Sequence, residues 1–365
     1  MKIKEVTDYL ESKYPLWIQE DFDNCGMQCG DKEREVNHVL VCFEVALDVV
    51  DEAIALGANL IISHHPLLLR NGLKKIEPTS REGVILFKAL ENQIAIYSMH
   101  TNMDSAIGGG NDVFAQKLGL LQCRVIAPKE ECLQKLTVFV PQQYADSVKE
   151  ALFAVGCGTI GNYDRCSYSC DGVGTFRPSN AAHPFIGNAN LNETVKEERI
   201  EMLFPAVLQR KIITTIYQVH PYEEPAFDIV RIENLYKNAG LGRIGKLPYK
   251  MEIPQFLGYV KEKMEVNHIR YSGDLNHDIK TVAVCGGGGS SLINNAIAMG
   301  ADAYVTGDIK YHDFFIPDNK MLIADIGHFE GEHFIREIIY GELKENFCNF
   351  ATTLSVKESL KIFHF

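Results

Sequence analysis

Two adjacent histidines, His64 and His65, end a short apolar run, Leu60-Ile61-Ile62-Ser63, that follows Gly57-Ala58-Asn59. The run reads as a buried strand, and ligands in an open parallel sheet collect at the carboxyl ends of strands. Neighbouring side chains at a strand end point to opposite sides, so the two imidazoles need not compete for one ion and could each hold one of two. Two further pairs share one spacing: His100-x3-Asp104 and His328-x3-Glu332. Each again follows an apolar strand pattern, Ile94–Ser98 in the first case and Met321–Ile326 in the second. Three imidazoles and two carboxylates (His64, His65, Asp104, His328 and Glu332) suit zinc, iron, manganese or nickel. Calcium, which takes oxygen alone, fits them poorly. A carboxylate can bridge two cations and an imidazole cannot, so the set suits a pair of divalent ions better than one saturated ion.

Other histidines stand near these positions. His100 shares its loop with Asp104 and could be an outer partner, a proton carrier or a surface residue. The same choice holds for His312, four residues after Asp308. His333, on a different helix face from Glu332, reads as solvated. The loop Gly286–Ser291 could cradle an anion on its backbone, but it lacks the Gly-Lys-Ser/Thr ending of a phosphate-binding loop, and a tight turn explains it equally well.

The elements that must carry these residues repeat. His38–Phe43 reads as a strand, Val45–Leu56 as a helix closed by Gly57, and then comes the strand before His64. A helix follows over about 80–91, and another over about Asn111–Leu118 after Gly108-Gly109-Gly110. In the last third, Thr281–Cys285 is a strand, and Gly286–Ser291 turns into a helix ending Ala296-Ile297-Ala298-Met299-Gly300-Ala301-Asp302. That ending matches Ala53-Ile54-Ala55-Leu56-Gly57-Ala58-Asn59. The next strand, Ala303–Thr306, ends at Gly307-Asp308, where the first copy has His64-His65. Strands alternating with helices imply βαβ units and parallel sheets, here as an internal duplication.

Between the copies the order changes. Lys135–Pro141 is a strand and Tyr144–Val155 an amphipathic helix. Cys166–Ser169 and Glu198–Phe204 read as strands, Pro205–Gln218 as a helix with Pro in its first turn, and Phe227–Ile232 as a last strand. The order β-α-β-β-α-β is the ferredoxin-like pattern. The expected fold class is α/β: a duplicated βαβ core with mainly parallel sheets and helices, plus an inserted ferredoxin-like α+β domain. The expected boundaries are 1–126 for the first half of the core, 127–244 for the insertion and 245–365 for the second half.

Composition agrees. A chain of 365 residues suggests about two to three domains. A hydrophobic content of 46% and a charged content of 23% are those of a globular protein. No apolar run approaches the ~20 residues that span a bilayer, so no membrane partner is expected. The opening Met1–Val6 passes directly into a helical pattern, which points to a cytoplasmic protein. A net charge of -12 argues against sequence-independent nucleic-acid binding. The ten cysteines include Cys25-x3-Cys29 and Cys166-x3-Cys170, but neither has the layout of a zinc ribbon. Glu20–Asp31 is an acidic, Gly-punctuated loop whose carboxylates could be ligands or turn formers, and turn former is the safer reading.

At these residues the chain resembles the Nif-three-like family, also called GTP cyclohydrolase I type 2 homologs. The resemblance rests on Glu20-Asp21-Phe22-Asp23-Asn24-Cys25-Gly26, Ser63-His64-His65-Pro66, His100-Thr101-Asn102-Met103-Asp104, Thr306-Gly307-Asp308 with His312, and Gly327-His328-x3-Glu332. It extends to the insertion through Tyr163-Asp164-x-Cys166-Ser167 and His220-Pro221-Tyr222-Glu223-Glu224-Pro225, which are similar to the PII/CutA-like domain of the longer bacterial members. Phe22 stands where a Trp is common. The resemblance implies a dinuclear metal site on His64, His65, Asp104, His328 and Glu332, with zinc the first choice of ion, and a ring-shaped homohexamer. Two functions are compatible with all this. One is a metal-dependent hydrolase acting on a nucleotide-like small molecule, with His100 the candidate catalytic group. The other is a non-catalytic metal-binding or regulatory protein whose inserted domain senses a ligand. An open site rich in His and carboxylate favours the first, because structural zinc sites are closed and cysteine-rich.

Overall fold

The computed structural model describes residues 1–68, 75–274 and 276–357. The chain forms two compact units, Met1–Pro128 with Asn238–Phe365, and Lys129–Lys237.

The first unit carries the duplication. In one lobe, strands His38–Cys42, Leu60–Ser63 and Ala95–Ser98 pair in parallel. Their residues are buried almost throughout, as expected of strands covered on both faces. Helices Leu47–Leu56 and Arg81–Glu91 cover one face through Val49, Val50, Ala53, Ile85, Leu86 and Ala89. In the other lobe, Ile279–Gly288, Ala303–Gly307 and Leu322–Asp325 pair in parallel in the same order. Each lobe also has an antiparallel edge strand on its third parallel strand: Gly26–Cys29 against Ala95–Ser98, and Arg270–Ser272 against Leu322–Asp325.

The copies match bond for bond where the helix meets the second strand. Gly57 and Gly300 sit in the left-handed region at φ +66° and +75°. The Ala58 N–H donates to the Ala53 carbonyl at 2.8 Å, and the Ala301 N–H to the Ala296 carbonyl at 3.0 Å. This is the six-to-one bond of a glycine-closed helix end.

The second unit is a four-stranded antiparallel sheet ordered Tyr168–Phe176, Glu193–Pro205, Leu133–Pro141, Phe227–Arg231. Helices Ala145–Ala154 and Gln209–Val219 pack on it through Val148, Leu152, Ile212 and Ile216. This is the ferredoxin-like arrangement, with three local corrections. Pro205 ends a strand instead of opening a helix; a Pro φ near -65° suits that strand end, and the helix starts at Gln209. The second strand starts at Tyr168, beyond Cys166 and Ser167. The third reaches back to Glu193, because its outer half alternates polar residues that hide the strand signal. Among the described residues no helix is long and apolar enough to cross a membrane.

Candidate metal centre

His64 and His65 extend the pairing of their strand by one step each. The His64 N–H donates to Cys42 O at 3.2 Å and the His65 N–H to Phe43 O at 2.9 Å. Phe43 packs beside both rings, at 5.5 Å from His64 and 4.4 Å from His65. His64 is fully buried, and its Nδ1–H donates to Met99 O at 2.7 Å, which turns Nε2 toward the cluster. The next strand end opens a short helix, Thr101–Ser105, that buries Asp104. The matching strand end in the other lobe opens His328–Glu332 and buries Glu332.

These two short helices bring the predicted residues together. Glu332 Oε2 lies 3.1 Å from His328 Nε2, 3.5 Å from His65 Nε2 and 3.6 Å from His64 Nε2. Asp104 Oδ2 is 3.9 Å from His64 Nε2, and the Nε2 atoms of His328 and His65 are 3.3 Å apart. Three overlapping groups each place their ligand atoms within 4.8 Å of one another: His64 with Asp104 and Glu332, His65 with His328 and Glu332, and His64 with His65 and His100. Asn111 fixes one lobe to the other here, accepting from the Gly286 N–H at 2.9 Å and donating to Asp104 O at 3.0 Å. Buried Arg243 adds to this join, donating to the carbonyls of Gly240, Gly242 and Ala106 and to the Asp112 carboxylate.

The family model for Duf34/NIF3 (NGG1p interacting factor 3) matches residues 1–360. The chain belongs to the Duf34/NIF3 family. It is 38% identical over 363 residues to the Bacillus subtilis protein named GTP cyclohydrolase 1 type 2 homolog, covering 98% of this chain and 96% of that one. A Mycobacterium tuberculosis protein of the same name is 33% identical over 338 residues, 91% of this chain and 88% of its own. Among solved structures, a Bacillus cereus protein related to NIF3 superposes with a TM-score of 0.84 at 38% identity, over 100% and 99% of the two chains. A Staphylococcus aureus protein superposes at 0.78 with 27% identity, also over 100% and 99%.

Among the described residues, three donor atoms of this cluster are buried without a hydrogen bond: His64 Nε2, Asp104 Oδ1 and Glu332 Oε2. Leaving such atoms unpaired costs about 1–3 kcal/mol each, more where they are charged, so the cluster fits a cation that would satisfy all three. Electrostatics point the same way. Burial and then the charge of Glu332 push the Asp104 carboxyl well above its usual range. Burial acts on Glu332 too, but the three imidazoles at 3.1–3.6 Å outweigh it and hold that carboxyl well below its usual value. Burial lowers His64 to about 4, so its imidazole is neutral at pH 7. Glu332 first, with Asp308 behind, raises His328 to about 9. Asp308 takes this role by accepting from His328 Nδ1 at 2.7 Å.

His100 lies closer than an outer position requires: its ring joins the His64–His65 group. Its Nδ1 is held by Asp23 at 2.9 Å. Burial alone would lower the His100 pKa, but Asp23 overrides it and raises it. Asp23 is 1% exposed and also accepts from the N–H groups of Thr101 (3.0 Å) and Asn24 (2.7 Å), the Thr101 hydroxyl and the Cys25 thiol. In sequence Asp23 reads as a turn former, and Phe43 carries no signal beyond its place at the end of a strand. His312 touches the Tyr311 ring and lies outside the cluster. His333 is not solvated as expected; it is half-buried and stacks on Phe329 at 5.2 Å.

Proposed function

We propose that His64, His65, Asp104, His328 and Glu332 hold two divalent ions, zinc first among those the donor set suits, and that the protein is a metal-dependent hydrolase of a nucleotide-like small molecule. The reading rests on the convergence of the orphaned atoms His64 Nε2, Asp104 Oδ1 and Glu332 Oε2 in one buried cluster. His64, His65 and Glu332 each belong to two of the three candidate groups, and Glu332 is the one carboxylate among them, so it would be held in common by both ions. When bound, such ions supply Lewis acidity, polarising an electrophile and acidifying water. The chain's own part is positional. Met99 O and Asp308 fix the Nδ1 sides of His64 and His328, so both present Nε2. Asp23 does the same for His100, whose Nε2 is then free to accept and return a proton at the substrate. The names of the relatives point to a purine nucleotide as substrate.

The test is elemental analysis of protein purified without chelators, together with turnover on a nucleotide panel that includes GTP, for the wild type and for His65→Ala with Glu332→Ala. The expected result is bound metal and hydrolysis in the wild type and neither in the double variant. Stoichiometric metal in the double variant overturns the site. Metal in the wild type without turnover on any nucleotide overturns the hydrolase and leaves the non-catalytic metal-binding function. Light scattering on the same preparation tests the homohexamer.

A further inference from the structure

The ferredoxin-like unit contains a cavity of about 300 Å³, at the small end of ligand pockets. Its walls include Phe176, Phe185, Tyr222 and Pro178, and its charged lining is Glu197, Glu223 and Glu224 against Arg177. Glu197 is 9% exposed. The Tyr222 hydroxyl donates to its Oε1 at 3.2 Å, and among the described residues the carboxylate has no ion-pair partner. A buried carboxylate is normally paired with a cation, so this one is short of a partner.

The nearby histidine does not supply it. The Tyr222 N–H donates to His220 Nδ1 at 3.0 Å, and His220 Nε2–H donates to Phe139 O at 2.9 Å. That pattern leaves one ring nitrogen as acceptor and fixes the neutral tautomer. Burial lowers the His220 pKa further. Gly174 is the space that lets the carboxylate lie across the neighbouring strand: a Cβ there would stand 2.2 Å from Glu197 Oε2. Phe176 and Tyr222 meet edge to face at 5.7 Å, so an aromatic wall stands beside the carboxylate. Glu223 Oε1 accepts from the His183 N–H at 2.9 Å and ties the loop that carries Pro184 and Phe185 to the cavity rim.

From this geometry we infer that the cavity binds a small organic cation with an apolar body, an amine or protonated nitrogen heterocycle, its charge on Glu197 and its body against Phe176, Phe185 and Tyr222. A cation beside a carboxylate and an aromatic face gains from both.

The test uses the full chain and two probes of one shape, benzylamine and benzyl alcohol, titrated by calorimetry at pH 7.5. The expected result is benzylamine binding about ten- to a hundredfold tighter than benzyl alcohol, the range of a hydrogen bond to a charged group. Glu197→Gln, which keeps the shape, removes the preference by weakening benzylamine alone. Phe176→Leu, an independent arm should Glu197→Gln unfold, weakens both probes several-fold, because they share the body that Phe176 contacts. Equal affinity of the two probes for the wild type, no binding of either, a preference that survives Glu197→Gln, or unchanged affinity of both probes in Phe176→Leu overturns the inference.

Discussion

The two lobes of the core solve one problem in different ways. Both end their third parallel strand in a short helix with a His-x3-acid spacing, and both turn imidazole Nε2 atoms into the same cluster. In the first lobe the anchor is burial: His64 is 0% exposed, held on the Met99 carbonyl and flanked by Phe43. In the second lobe the anchor is charge: the His328 side chain is 34% exposed and is held between Glu332 and Asp308, itself 62% exposed. Duplication thus kept the strand-end geometry and divided the labour. The first lobe places one desolvated, neutral imidazole, His64, in the cluster, and the second places a reachable imidazole, His328, and the carboxylate common to two of the candidate ligand groups.

That division predicts unequal costs. Glu332 serves two ligand groups and Asp104 one. Glu332→Gln should therefore weaken zinc by well over about a hundredfold, beyond the range that outer-sphere changes produce. Asp104→Asn should weaken it less. Competition with a chromophoric chelator measures both constants. Equal losses, or a larger one for Asp104→Asn, would mean that the acids share the ions evenly and that the lobes are not differentiated.

The carboxylates behind the histidines give the next contrast. Asp308→Asn should weaken zinc by about 10–100-fold and leave the melting temperature of the metal-free protein unchanged, because Asp308 is exposed. Its backbone φ of +54° is tolerated by Asn as well as by Asp, so the substitution adds no strain. Asp23→Asn should lower the melting temperature as well, by about 1–3 kcal/mol of stability, since buried Asp23 accepts from Thr101, Asn24 and Cys25 besides His100. Identical melting for the two variants would break the distinction between a buried and a charged anchor.

Most of this site was legible because its residues stand at strand ends, and strands of Ile, Val and Leu announce themselves. The duplication was legible because helix, glycine and strand recur in one order. Asp23 was not, since an Asp in a Gly-rich loop looks the same whether it makes a turn or holds a histidine 77 residues away. The edge strands Gly26–Cys29, Arg270–Ser272 and Ala351–Leu354 were missed for a related reason. They are three or four residues long, too short for alternation to show, and exist through the neighbour they pair with. Pro205 was misplaced because proline's fixed φ serves a strand end and a helix start equally.

The smallest effect tests the duplication itself. Gly57 and Gly300 close equivalent helices, in the same left-handed conformation and with the same six-to-one bond. A Cβ at either would meet nothing within 4 Å, so Ala adds no clash at either site. What remains is the backbone cost of holding an L-residue left-handed, about 1–2 kcal/mol. Gly57→Ala and Gly300→Ala should therefore shift the urea midpoint of the core by the same small amount and leave zinc affinity alone. If one shifts it by more than twice the other, the two helix ends are not carrying equal loads. The lobes would then share a backbone trace without sharing the energetics that hold it, and the unequal partner would mark the lobe whose opening limits unfolding.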